Sequence, residues 1–420
     1  MEVTPQEQYG FIPGRSTTQA IQKVLEYIGE ALRQPRGCAY ATFVDYQKAF
    51  DGVNRNILLR KLRTLLGPES QPLKFISSIL ESNEISISDG HLESMNIAQT
   101  NGVLQGDPLS PMLFNVLTND IVTKITTEEV KILLYADDMV ILSKNRNGMQ
   151  QAINKLEDWT RENELKINQT KTKVMKFRRG GRTNLKDTFT CGNQPLEMTK
   201  SYKYLGVTLQ VTGFTFTKHI EDKTIAAIKA TMEIKRLKSL SLETATKLFR
   251  LKIAPVASHA IELIWPHLNY KNVKTLDRVK TRYLKKTLGV SKYAPNRLVY
   301  KLVGTSNFID DLMSAHNLAP TQASRKFMEE HRQKAAEIDP AFYHTPAMTE
   351  EEWKTANYEL RHLYTRGAIH GFHHRVCNRK GFHNADSECV CELCNRPCTQ
   401  YHLFVCTQRT LPISHYAKDD

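Results

Sequence analysis

Ile132-Leu133-Leu134-Tyr135-Ala136-Asp137-Asp138-Met139-Val140-Ile141-Leu142 places two short apolar runs on either side of two adjacent acids. Each run has the length of a strand, and the acids between them are turn formers. The stretch predicts a hairpin with Asp137-Asp138 at its tip. A third acid, Asp45, closes another short apolar run at 39–46, where Tyr40, Phe43 and Val44 read as a buried strand. An acid at the end of such a strand is costly unless it is solvated, paired or bound to metal. Three acids on neighbouring strand ends raise one another's pKa, and a divalent cation relieves that repulsion. Mg²⁺ is commonly held by one or two carboxylates, with water and substrate phosphates filling the other positions. Two such ions ~3.5–4 Å apart can clamp the attacking and leaving oxygens of a phosphoryl transfer. Taken alone, Asp-Asp is also a common turn dipeptide, and Asp45 could be a helix cap.

Around this centre the chain reads as mixed helix and strand. Ser16-Thr17-Thr18 caps a predicted helix with its apolar stripe at Ile21, Val24, Leu25, Ile28 and Leu32, broken at Arg36-Gly37. Two further helices are expected at 57–66, stopped by Gly67-Pro68, and at 73–80. Ile85 and Ile87 alternate with polar neighbours, as in a half-exposed strand. Pro108 opens a helical run through Met112, Leu113, Val116, Leu117 and Ile121, which suits proline in a first turn. Ile153, Leu156 and Trp159 mark another helix, and strands are expected at 173–177 and 202–209. From Thr217 the pattern turns helical and basic, punctuated by Pro295 and Pro320.

Composition bounds the class. A chain of 420 residues predicts two or three domains, and 40 % hydrophobic residues are enough for a true core. No run reaches the ~18–20 apolar residues of a membrane span, and no repeat or low-complexity tract is visible. Met1 is followed by Glu2, Thr4, Gln6 and Glu7, which does not resemble a secretory leader. The expected home is intracellular, nucleus or cytoplasm. The formal net charge is +14, unevenly spread: residues 1–210 carry 26 basic and 23 acidic groups, and 211–420 carry 32 and 21. Seven basic and no acidic residues lie between Lys166 and Arg182, and sixteen against six between Lys218 and Val290. Uneven basic charge is the footprint of a polyanion, most often nucleic acid.

Five blocks in order now carry a resemblance. Residues 43–51 (FVDYQKAFD), 102–111 (GVLQGDPLSP) and Tyr135-Ala136-Asp137-Asp138 resemble the ordered motifs of reverse transcriptases, and more narrowly those of non-LTR (LINE-type) retrotransposons. Upstream, Gly10-Phe11-Ile12-Pro13-Gly14-Arg15-Ser16-Thr17 is similar to a segment that family carries before its first acid. Downstream, 165–173 (LKINQTKTK) and 202–206 (YKYLG) resemble its last two palm motifs. The likeness covers about residues 8–210.

That resemblance implies an α+β right-hand polymerase. It assigns partial fingers and palm to 1–212, a helical thumb to 213–310, a helical connection to 311–380 and a zinc-knuckle-like tail to 381–420. It implies RNA-directed DNA synthesis from dNTPs on an RNA template and a DNA primer, with two Mg²⁺ ions held by Asp45, Asp137, Asp138 and the main-chain carbonyl of Tyr46. Lys171 falls in a block proposed to protonate pyrophosphate, and it could equally be one solvated lysine among several. Phe50 falls where the family senses the sugar 2′ position, and it could be a core aromatic as well. Gln105 and Gly106 match a loop near template and nucleotide, where a missing side chain lets backbone approach a ligand. Tyr204, Leu205 and Gly206 match the primer grip, with plain strand core as the other reading. The basic helices of a thumb suit the phosphates of an RNA–DNA hybrid.

Six of the eight cysteines lie between 377 and 406. Cys391-x2-Cys394-x7-His402-x3-Cys406 has the ligand types and number of a closed zinc site, and Cys389 and Cys398 are alternative ligands. Similar clusters follow the polymerase in several non-LTR elements, often with a last gap of four rather than three. A loose tail of reduced cysteines is the other reading, and Cys38 and Cys191 read as buried thiols. The chain opens almost at the arginine-containing block, so it reads as a piece of a larger polyprotein or a degraded copy. A catalytically silent nucleic-acid-binding remnant is therefore the rival to the enzyme.

Overall fold

The computed structural model describes residues 4–336, apart from 82–83, 87–89, 91–94, 96, 180–186, 213, 291, 293 and 295. The chain divides into two compact units, Met1–Thr215 and Phe216–Asp420. Ile87 and the cysteine-rich tail, with Cys391, Cys394, His402 and Cys406, lie outside the described residues.

In the first unit, α1 (Thr17–Arg33) starts at Ser16, whose hydroxyl accepts from Gln19 N–H while the Gln19 side chain accepts from Ser16 N–H. This reciprocal cap satisfies two of the donors a helix start leaves open. Its buried face includes all five expected stripe residues. Gly37 lets the chain turn out of the helix, because a Cβ there would stand 2.0 Å from Ala31 O. Then follow β1 (Cys38–Val44), α2 (Arg55–Leu66), α3 (Gln71–Glu81), β2 (Glu84–Ile85), β3 (Ile97–Ala98), α4 (Ser110–Thr118), α5 (Ile121–Ile125), β4 (Val130–Tyr135), β5 (Asp138–Ser143) and α6 (Arg146–Glu162). The unit ends with β6 (Lys173–Arg178), β7 (Phe189–Cys191), β8 (Gln194–Met198), β9 (Ser201–Tyr204) and β10 (Val207–Gln210).

Two expected elements need correcting. The helix expected from Pro108 to Ile121 begins at Ser110 with Pro111 in its first turn, and it breaks before Ile121. At the break the Leu117 carbonyl accepts from Lys61 Nζ (2.6 Å), and Asp120 holds both Lys61 and the Trp159 indole. The run at 202–209 is two strands rather than one, joined through Leu205 (φ 44°) and Gly206 (φ 84°). Two successive residues at positive φ are what a two-residue hairpin connection uses. The short pair β7 and β8 carries no strong alternation, and the apolar pattern misses it.

Six strands form the main sheet in the order β4-β5-β1-β6-β8-β7, antiparallel except where β6 meets β8. β1 is central and buried along nearly its whole length. One face packs Val44, Ile132, Leu134, Met139, Ile141 and Val174 into a core with α2 to α6. The other face carries Ala41 and Phe43 of β1 by alternation. It is covered by α1 and by the β9–β10 hairpin, whose Tyr202 stacks on Phe43 with centroids 4.2 Å apart. Cover on both faces explains why these strands read as continuous apolar runs.

The second unit is helical among its described residues. Its elements are α7 (Thr217–Glu233), α8 (Leu242–Leu248), α9 (Ala254–Ala257), α10 (Ile261–Ile264), α11 (Tyr270–Leu288), α12 (Asn296–Val303), α13 (Phe308–Ala315) and α14 (Gln322–Ala336), with a π turn, Phe249–Ile253, joining α8 to α9. Residue 310, where a boundary was expected, falls inside α13. α11 runs through the middle, packed by α7, α12, α13 and α14. Its Lys280 is 1 % exposed and donates to Thr305 Oγ1 (2.9 Å), Ser306 O (2.8 Å) and Asp311 Oδ2 (2.6 Å). Asp277 accepts from the Tyr300 hydroxyl (2.5 Å) and Phe308 N–H (3.1 Å). Lys285 turns inward too, onto Lys292 O and Asn296 Oδ1. Part of the basic excess of this region is thus internal structure rather than solvated surface. Among the described residues no helix is long and apolar enough to cross a membrane.

Candidate active site

The tip of the β4–β5 hairpin is Ala136-Asp137, one residue earlier than the sequence suggests. Asp138 is already the first residue of β5, paired with Tyr135. The shift follows from backbone geometry, because a two-residue connection needs a left-handed residue and Ala136 supplies it at φ 56°. β1 lies on the other side of β5, with Val44 opposite Met139. One step further along that register sets Asp45 against Asp138. Asp45 follows Phe43 by two residues and so shares the face on which Tyr202 lies.

Asp45 is fixed through its backbone. Its N–H donates to Thr172 Oγ1 (3.1 Å) and its carbonyl accepts from Asn168 N–H (2.7 Å). Its side chain is only partly covered, yet Oδ2 is buried with no hydrogen-bond donor. Lys171 Nζ lies 4.0 Å from that oxygen. Tyr46 forms a bridge with Ile167 made by the bond from Asn168 N–H to Asp45 O and the bond from Gln47 N–H to Lys166 O. The carbonyl of Tyr46 takes no part in either bond. Its phenol is buried, donates to Met139 Sδ (3.8 Å), and is pushed well up in pKa by burial and then by Asp137.

Electrostatics ties the acids together. The Asp138 carboxyl is pushed from 3.8 to about 6, first by desolvation, then by the charges of Asp137 and Asp45. Tyr202 is raised by burial and then by the charges of Asp138 and Asp45. Among the described residues, no three His, Cys, Asp or Glu side chains stand close enough to form a finished metal cage. The orphaned Asp45 Oδ2 and the mutual repulsion of the acids are nevertheless what an oxygen-ligated divalent cation fits.

The remaining predicted residues lie on the segment after Asp45, on the loop docked against that segment and on the β9–β10 hairpin. Phe50 is half-buried and stacks on Phe114, centroids 4.9 Å apart, so it packs against the core. The loop with Gln105 and Gly106 is docked onto the segment after Asp45. Gly102 N–H donates to Val53 O (2.9 Å), Val103 N–H to Phe50 O (3.0 Å), and Gln105 Nε2 to Asp51 Oδ1 (3.2 Å). Gly106 sits at φ 96° with open space where a Cβ would point. Glycine is therefore required by the backbone, and the space before it is free for a ligand. In the β9–β10 hairpin Tyr204 is core, 3 % exposed, while Leu205 and Gly206 form the tip.

Three contributors were not singled out from the sequence. Thr172 holds Asp45 N–H, Tyr202 stacks on Phe43 two residues before Asp45, and Gln8 contacts the acidic turn from the far end of the unit. Alternation placed Phe43 and Asp45 on one face, but no local signal says that Tyr202 stacks there.

Residues 1–209 match the family described as reverse transcriptase (RNA-dependent DNA polymerase). The RNA-directed DNA polymerase of the mobile element jockey from Drosophila melanogaster is 27 % identical over 77 % of this chain and 37 % of its own length. That of jockey from Drosophila funebris is 29 % identical over 70 % and 33 %. Among solved structures, apo telomerase from Candida tropicalis aligns at TM-score 0.41 and 12 % identity, over 83 % of this chain and 57 % of that one. That likeness is too loose to build on. The fold is a polymerase fold of mixed α and β content. Residues 1–209 are a reverse transcriptase domain, and the chain is similar to the polymerases of non-LTR retrotransposons. It spans about a third of the length of these two curated relatives.

Proposed function

We propose that this chain performs RNA-directed DNA synthesis, joining dNTPs to a DNA primer 3′-hydroxyl on an RNA template. The observation that carries the reading is the convergence of three carboxylates at neighbouring strand ends, one with a buried, donorless oxygen and one raised to about 6 by burial and then by the charges of the other two. Such a cluster destabilises the fold unless a cation occupies it. Asp45, Asp137, Asp138 and the Tyr46 carbonyl would hold Mg²⁺, which supplies positive charge to acidify the primer hydroxyl and offset charge on the phosphates. Lys171, whose Nζ lies 4.0 Å from Asp45 Oδ2, would give a proton to departing pyrophosphate. Gln105, Gly106 and Phe50 frame the nucleotide, and Leu205-Gly206 hold the primer end. In this reading 1–212 are partial fingers and palm, 213–310 thumb, 311–380 a connection, and 381–420 a nucleic-acid-binding tail. The tail takes one Zn²⁺ through Cys391, Cys394, His402 and Cys406. The setting is intracellular, in nucleus or cytoplasm.

The test is extension of oligo-dT on poly-rA with Mg²⁺. Asp45→Asn or Asp137→Asn should abolish incorporation while binding of the RNA–DNA hybrid stays close to normal, because acids hold cations and basic helices hold phosphates. Unchanged extension by Asp137→Asn removes the assignment. The basic excess between Lys218 and Val290, sixteen basic residues against six acidic, also suits a second reading, a nucleic-acid-binding protein without catalysis. That reading predicts hybrid binding with no extension by the unsubstituted chain.

A further inference from the structure

The turn carrying Asp137 is held from a distant part of the chain. Residues 7–10 run alongside β4: Leu134 N–H donates to Glu7 O (2.9 Å) and Tyr9 N–H to Leu134 O (2.7 Å). Gln8, between them, is 1 % exposed. Its Oε1 accepts from Gly10 N–H (2.8 Å) and from Ala136 N–H (3.0 Å). Gly10 lies so close that a Cβ there would stand 2.3 Å from Ala136 N. Asn115 Nδ2 holds the Gly10 carbonyl (3.0 Å). Arg15 Nη1 gathers the preceding segment by donating to Pro5 O, Gln6 O and Gln8 O.

Ala136 needs such support. An alanine in the left-handed region costs ~1–2 kcal/mol, and strain of that kind persists only where the surroundings over-determine it. A buried N–H without an acceptor costs another ~1–3 kcal/mol. Gln8 Oε1 is the acceptor. Gln8 Nε2 is buried with no partner, so the amide is seated for its oxygen end. A neutral amide also supplies that oxygen without adding a fourth negative charge beside the acids.

We propose that Gln8 is a positioning residue for the acidic turn: its side-chain oxygen fixes Ala136 in its left-handed conformation and thereby aims the Asp137 carboxylate at the cation. The inference rests on the metal reading of the acids. Replacing groups that orient metal ligands typically weakens metal affinity ~10–100-fold.

The experiment titrates the full chain with Mn²⁺ alone, reading free Mn²⁺ by electron paramagnetic resonance at pH 7.5, with Asp137→Asn marking the acid-dependent site. Gln8→Met keeps length and burial but removes the acceptor, and should weaken that site at least ~10-fold. Gln8→Glu keeps the acceptor and should bind Mn²⁺ more tightly than Gln8→Met. If Gln8 were only packing, the order would reverse, since Met fits an apolar seat and a buried carboxylate does not. Gly10→Ala presses directly on Ala136 and displaces the Gly10 N–H that shares the Gln8 oxygen, and should weaken Mn²⁺ in the same way. Unchanged affinity in Gln8→Met, or Gln8→Glu binding more weakly than Gln8→Met, overturns the proposal. No Asp137-dependent Mn²⁺ binding in the unsubstituted chain overturns the metal reading itself, and the proposal with it.

Discussion

Asp138→Asn should stabilise the protein while removing part of its cation site. The Asp138 carboxyl titrates at about 6 in the folded protein against an ordinary 3.8. At 1.36 kcal/mol per pH unit that gap has a ceiling of ~3 kcal/mol. Asp138 is exposed, so solvent screening reduces the expected gain to ~1 kcal/mol. For a unit of this size ~1 kcal/mol raises Tm by roughly 2–4 °C. The sign follows from proton linkage. Below about 4 the group is protonated in both states and the substitution gains nothing. Between about 4 and 6 the folded protein binds the proton more tightly than the unfolded chain. The contribution of Asp138 to stability therefore falls as pH rises through that window. Above about 6 the full penalty is present. The assay is thermal denaturation in EDTA at pH 4, 5, 6 and 7.5, comparing the parent with Asp138→Asn. Their Tm difference should grow from near zero to its plateau. Added Mg²⁺ should close the gap by stabilising the parent, since only a ligand of the folded state raises Tm. A variant less stable than the parent at pH 7.5, or a gap that persists at pH 4, refutes the reasoning.

Three further outcomes are expected. Phe50→Val loses the stack on Phe114 and about 1–2 kcal/mol of stability, but it should also raise the kcat/KM ratio of rGTP to dGTP on one primed template; a ratio that does not move leaves Phe50 as packing alone. Lys280→Ala abandons Asp311 in a buried network and should destabilise the second unit by ~3–5 kcal/mol in urea denaturation; a loss below ~1 kcal/mol would contradict the network's importance. Elemental analysis of the full chain should find about one Zn²⁺ that Cys394→Ser removes, whereas metal content near zero after refolding with excess zinc counts against the tail site.

The helices of the first unit were largely readable because their information is local. Ser16 caps a stripe that repeats at helical spacing, and Gly67 ends α2 where the apolar pattern stops. The acids were legible too, since strand-length apolar runs ending in Asp45 or enclosing Asp137-Asp138 require an explanation that ordinary cores do not supply. Sequence order and block spacing then carried the family. Other features depended on contacts between residues far apart in the chain. Asp138 moves off the hairpin tip because Ala136 accepts a left-handed backbone, and it does so with an acceptor supplied 128 residues away by Gln8. Tyr202 reaches the sheet face that carries Phe43 only because the β9–β10 hairpin folds over it. Lys280 and Lys285 look like two more surface charges until α12 and α13 close over α11. Periodicity records which side chains share a face. Which buried N–H finds which oxygen, and which charge loses its water, is decided when the faces meet.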